Sequence, residues 1–74
     1  MRAPTSIRAA ETAMSAEMQA LKAKASAAQT DTTITDDQAD AIISEYNRQI
    51  VAAGMPAGMQ KVSRAAYRAA WGNL

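Results

Sequence analysis

Four carboxylates crowd one short stretch, Asp31, Asp36, Asp37 and Asp40 in the segment TDTTITDDQAD, and they are the natural place to look for a metal. Read as a calcium loop from Asp31, the segment offers Thr33 and Thr35 at ligand positions. Asp36 then stands where the sharp turn requires glycine, and Ile42 stands where the bidentate glutamate belongs. The pattern fails. The same carboxylates suit the positive end of a helix dipole, which favours acidic groups in a first turn. With no histidine and no cysteine, the chain lacks the commonest general base, the thiol nucleophile and the usual transition-metal ligands. Ser63 beside Lys61 and Ser26 near Lys22 are formal serine–lysine pairs with nothing to organise them. Gly54, Gly58 and Gly72 are the only glycines and form no phosphate loop. Gly54 and Gly58, with Pro56 between them, read as a turn. The expectation is a protein that is not an enzyme and holds no cofactor or metal.

The chemistry left is that of binding, and it concentrates in KVSRAAYRAAWGNL, where Lys61, Arg64 and Arg68 are interleaved with Tyr67 and Trp71. On a continuous helical wheel, Met55, Met59, Val62, Ala66, Ala69 and Ala70 share a small-residue side expected to face the rest of the fold. Lys61, Arg64 and Arg68 fall on the far side, and Tyr67 and Trp71, one turn apart, lie on the flank between. Tyrosine, tryptophan and arginine dominate binding energy at protein interfaces. Lys61, Arg64, Tyr67, Arg68 and Trp71 are therefore the expected partner-binding residues. A different use of the same stripe would set the cations on phosphates and the rings on bases, as a small dimeric nucleic-acid-binding regulator. A helix-turn-helix reading does not align, because Pro56 and two glycines occupy the turn.

These residues need elements to carry them, and three helices account for the pattern. The first is expected from about residue 5 to 28, with Pro4 suiting its opening turn and Ile7, Met14, Met18 and Leu21 on one stripe. Its other side carries Ala9, Ala13, Ala16, Ala20, Ala23 and Ala27, either a solvated face or a second contact surface. A polar, β-branched loop spans 29–35. The second helix runs from about 36 to 53, opened by Thr35 and Gln38 as a capping box. Its apolar face is Ala39, Ile42, Ile43, Tyr46, Ile50 and Ala53. Gly54 and Pro56 end it, and a third helix is expected over 56–71.

The whole chain is 74 residues, one small domain, 49% apolar, with more than half of that alanine. Alanine favours helix but buries little area, so the core is thin and completion by self-association is expected. A homo-oligomer, with a dimer favoured, would use Ile7, Met14, Met18 and Leu21. Charge is divided by segment: basic excess in 1–29, five acidic and no basic residues in 30–46, four basic and no acidic in 47–74. Such segments attract one another or display patches of opposite sign. No run is apolar enough for a membrane, and Glu11 and Glu17 argue against a transit peptide, so a cytoplasmic location is expected. The fold class expected is all-α. The function expected is non-enzymatic, stoichiometric binding to a larger protein partner as regulator, inhibitor or adaptor. In style the chain resembles the small cysteine-free helical proteins of bacteriophages and mobile elements, which adds a structural subunit of a phage particle or filament as a further alternative.

Overall fold

The computed structural model describes residues 6–72, and over them the fold is all-helical with no strand. The elements are α1 (Ile7–Ala13), α2 (Ala16–Ala28), α3 (Asp36–Ala52), a 3-10 turn (Ala57–Met59) and α4 (Arg64–Trp71). The expected start of the first helix at Pro4 or Thr5 lies outside the described residues.

The single long helix expected over 5–28 is two helices. Met14 and Ser15 are both extended, with ψ of 135° and 165°. The Ser15 hydroxyl accepts the Met18 N–H at 3.1 Å and so caps a new helix. Upstream, the Thr12 hydroxyl donates to the Arg8 carbonyl at 3.0 Å, a back-bond that weakens the end of α1. The break turns the chain so that Ala10 and Met14 both enter the core. It also places Ile7 over the later turn: a Cβ built on Gly58 would stand 3.1 Å from the Ile7 Cδ1.

Helices α2 and α3, joined by seven residues, form the main pair, and the start of α2 lies by Gln49 near the end of α3, as in an antiparallel arrangement. Ala39, Ile43, Tyr46 and Ile50 recur at helical spacing on the buried side of α3, against Ala25 and Ala28 of α2. Alanine at the contact keeps the helices close, so the largest fully buried side chains are Tyr46 and Ile50. The α3 face read from sequence is right at its centre, whereas Ala53 is exposed. Ala9, Ala13, Ala16, Ala20, Ala23 and Ala27 are all exposed and take no part in the chain's own core.

Both ends of α3 follow their sequence signals. Thr35 and Gln38 close a reciprocal capping box, with Gln38 N–H on the Thr35 hydroxyl at 3.1 Å and Thr35 N–H on the Gln38 side-chain oxygen at 2.8 Å. At the other end Gly54 takes φ of 67°. Its N–H reaches the Val51 carbonyl and that of Met55 the Ile50 carbonyl, a Schellman ending that needs a residue free of a Cβ penalty. The helix expected over 56–71 then proves discontinuous. After the 3-10 turn the chain runs extended through Gln60–Ser63, and Ser63 caps α4 by accepting the Ala66 N–H at 3.1 Å.

Candidate functional site

The segment ahead of α4 has no ladder to satisfy its backbone, and side chains of α3 and of Gln29, just past the end of α2, take that part. The buried Tyr46 hydroxyl donates to the Met59 carbonyl at 2.9 Å. The Asn47 amide both donates to the Lys61 carbonyl and accepts the Lys61 N–H, each at 2.7 Å. Gln29 donates to the Val62 carbonyl at 3.0 Å, and the Asp40 carboxylate accepts the Arg64 N–H at 2.9 Å. A chain held this way is positioned by polar complementarity, because buried backbone groups left unpaired would each cost free energy.

Arg64 is where the sequence expectation fails most clearly. Placed on the outer, partner-binding side by the continuous wheel, it is only 5% exposed. Its guanidinium donates to the Asp31 and Ile34 carbonyls of the α2–α3 loop and to the Asp36 carboxylate at 2.7 Å. Arginine's planar fork fits such a three-way contact, and a lysine could not reproduce it. Arg64 is thus a structural clasp, corrected from a partner contact. The wheel erred because it ran the helix back to residue 56, which set the wrong register for everything after the turn.

Arg68, one turn on, reaches the same Asp36 oxygen at 3.2 Å with its side chain 47% exposed. The Asp36 carboxyl is held below its ordinary value of 3.8 by the Arg64 hydrogen bond first and the Arg68 hydrogen bond second. Asp31 is also held low, mainly by accepting from the Thr33 hydroxyl. The acidic segment therefore serves as capping, turn and clasp. Lys61 is half-buried with its ammonium 5.9 Å from the centre of the Tyr46 ring, and burial lowers its pKa, with Lys22 adding to the effect. Of the three cations read as one stripe, Arg64 is consumed inside, Lys61 is partly withdrawn and Arg68 remains on the surface.

The aromatic pair stays outside. Tyr67 is half-buried and Trp71 is 70% exposed, their rings tilted at 44° with centroids 6.1 Å apart, a geometry in the favourable range for aromatic pairs. Ala65, Ala66, Ala69 and Ala70 around them are exposed, and so is Val62. Of the side expected to pack inward, Met59 is buried and Met55 packs against the core, whereas Val62, Ala66, Ala69 and Ala70 face outward, and α4 is tied to the body through Arg64 and Arg68. Tyr67, Arg68 and Trp71, read from the sequence as partner-binding residues, lie on one helix with Arg68 and Trp71 exposed and Tyr67 half-buried. Sequence reading missed Gln29, Asp40 and Asn47. Ser63, an N-cap residue type standing inside what read as a helix, was the available signal.

Among the residues expected to mediate self-association, Met14 is corrected: it is buried in the chain's own core. Ile7 is 47% exposed, and Met18 and Leu21 are half-buried at the edge of the core. Two concavities flank α2. One of about 370 Å³ is lined by Glu11, Met14, Gln19, Lys22, Ala23 and Ser26, and the Glu11–Lys22 ion pair at 3.1 Å crosses from α1 to α2 there. The other, about 200 Å³, is lined by Ser15, Glu17, Met18, Leu21 and Gln49. No helix among the described residues is long and apolar enough to cross a membrane. Compared with models of known protein families, with curated proteins and with solved structures, the chain matches none.

Proposed function

We propose that this chain is a non-enzymatic helical interaction module that acts stoichiometrically on a larger protein in the cytoplasm, as a regulator, inhibitor or adaptor. The observation that carries the reading is Trp71. It is the chain's one tryptophan, and the fold leaves it 70% exposed beside Tyr67 on a helix fixed by a buried arginine. A chain this poor in large apolar side chains gains stability by burying each one, so an indole left in water supports a use outside the core. Arg68, next to Tyr67 in the chain and one turn before Trp71, adds a cation to the same helix, the composition that recurs at hot spots. Arg64 contributes by holding α4 rigid, which lowers the ordering cost of binding.

Capture from the native host, using the whole chain and a Tyr67→Ala/Trp71→Ala variant shown by circular dichroism to be folded, tests the reading. Loss of a partner with the variant locates the site on α4. Equal recovery by both proteins refutes it.

A further inference from the structure

The surface that best complements the α4 seam lies on the chain itself. Met18 and Leu21 form the apolar floor of the groove of about 200 Å³ between α2 and the end of α3. That is smaller than the ~300–1,000 Å³ of most small-molecule sites and suited to one bulky side chain. Methionine accommodates an aromatic ring well. On the groove's edge stands Glu17, exposed and in no ion pair among the described residues. On α4, Arg68 precedes Trp71 by three residues, one turn along the same surface, and only one of its terminal nitrogens is engaged, by Asp36.

One copy cannot join the two. Lys61 pairs with Asn47, Arg64 with Asp40 and Arg68 with Asp36, so α4 runs antiparallel to α3 and carries Trp71 toward the start of that helix. The groove lies by Gln49, near the other end of α3. The thirteen residues from Asp36 to Gln49 separate them by ~20 Å of helix.

We infer that copies of this chain associate head to tail, Trp71 of one entering the Met18–Leu21 groove of the next while Arg68 meets Glu17. The inference rests on the α4 seam being a binding surface, and it deepens that reading by naming a second copy as its occupant when no other partner is present. Knob and groove are different patches, so the contact is heterologous and builds open chains or rings, where a self-complementary patch would stop at a twofold dimer. A single knob buries less than the ~1,200 Å² of a standard interface, which makes the association weak and concentration-dependent. A larger partner that takes the seam dissolves the assembly.

The chain has no cysteine, which permits a direct test. Ala20, one turn after Glu17, and Ala65, one turn before Arg68, are both exposed. Under mild oxidation an Ala20→Cys/Ala65→Cys double variant should give a ladder of disulfide-linked multimers, and a mixture of the two single variants a 20–65 heterodimer. Sedimentation of the unmodified chain up to about 1 mM should show mass rising with concentration. Trp71→Ala or the fully surface Glu17→Arg should weaken association roughly tenfold or more. A monomer at all concentrations, or a saturating dimer linked only 65 to 65, would overturn the inference. If neither ladder nor mass increase appears while capture of a larger protein still depends on Tyr67 and Trp71, head-to-tail assembly is wrong and the seam reading stands. A ladder without such capture supports assembly and removes the larger partner.

Discussion

At Arg64 a full positive charge sits almost out of water, which is tolerable only because every face of the guanidinium finds an acceptor: two loop carbonyls and the Asp36 carboxylate. Arg64→Met would keep volume but leave those acceptors unpaired, and should cost about 2–4 kcal/mol in urea denaturation. Arg64→Lys keeps charge without the fork and should recover less than half of that loss. The partner, Asp36, predicts a pH dependence. Its carboxyl titrates below 3.8 in the folded chain, because Arg64 and then Arg68 favour the ionised form. The unfolded chain therefore binds the proton more readily, so the contribution of this pair is intact above about pH 5 and is lost as pH falls below about 4. Asp31 and Glu45, also held low by Thr33 and Arg48, shift the loss in the same direction. Thermal melts should be flat from neutral to about pH 5 and fall below about pH 4, with Asp36→Asn removing part of the fall. None of this inward role could be read at position 64 itself. An arginine four residues before another, with alanines between, has the same pattern on a solvated helix as on a clasp, and only the loop carbonyls it meets distinguish them.

Serine or threonine caps open all four α-helices, at Ser6, Ser15, Thr35 and Ser63, and the legibility of the last three differed. Thr35 stands between a polar loop and an amphipathic run, so the capping box was readable. Ser15 and Ser63 sit within alanine-rich stretches whose helix propensity favours continuity on both sides. What breaks those stretches is tertiary: burial of Met14, and the side chains of Gln29, Tyr46 and Asn47 that hold the backbone at Val62, Met59 and Lys61. Ser15→Ala should cost about 1 kcal/mol and, by removing the competing cap, raise helical circular dichroism as α1 and α2 fuse. The same substitution at Thr35 should cost a similar amount with no gain in helix, since nothing helical precedes it. Helix α4 is eight residues, too short to persist alone, and is tied to the body by polar contacts. Its amides should exchange faster than those of α2 and α3, and Arg64→Met should bring them close to unprotected rates while the α2–α3 pair keeps its protection.

Across the molecule, the division of charge seen in the sequence becomes an intramolecular contact: the basic C-terminal segment lies on the acidic start of α3 through Arg64, Arg68, Asp36 and Asp40. The thin core was equally legible, since four of its nine buried apolar residues are alanine. The assignment of large side chains between inside and outside was not, because composition does not say which aromatic is spent on packing. Tyr46 is fully buried and hydrogen-bonded, whereas Trp71 is 70% exposed. A domain of this size has a total stability of roughly 4–11 kcal/mol. Tyr46→Ala empties the centre of the core and should cost about 3–5 kcal/mol, enough to populate the unfolded chain at ambient temperature. Tyr46→Phe, which removes only the hydroxyl bond to the Met59 carbonyl, should cost about 1–2 kcal/mol. Trp71→Ala should change stability by less than about 0.5 kcal/mol, as substitutions at exposed positions do. If denaturation instead shows Trp71→Ala costing as much as Tyr46→Phe, the indole is packing material after all. The α4 seam would then lose its main support as a binding surface.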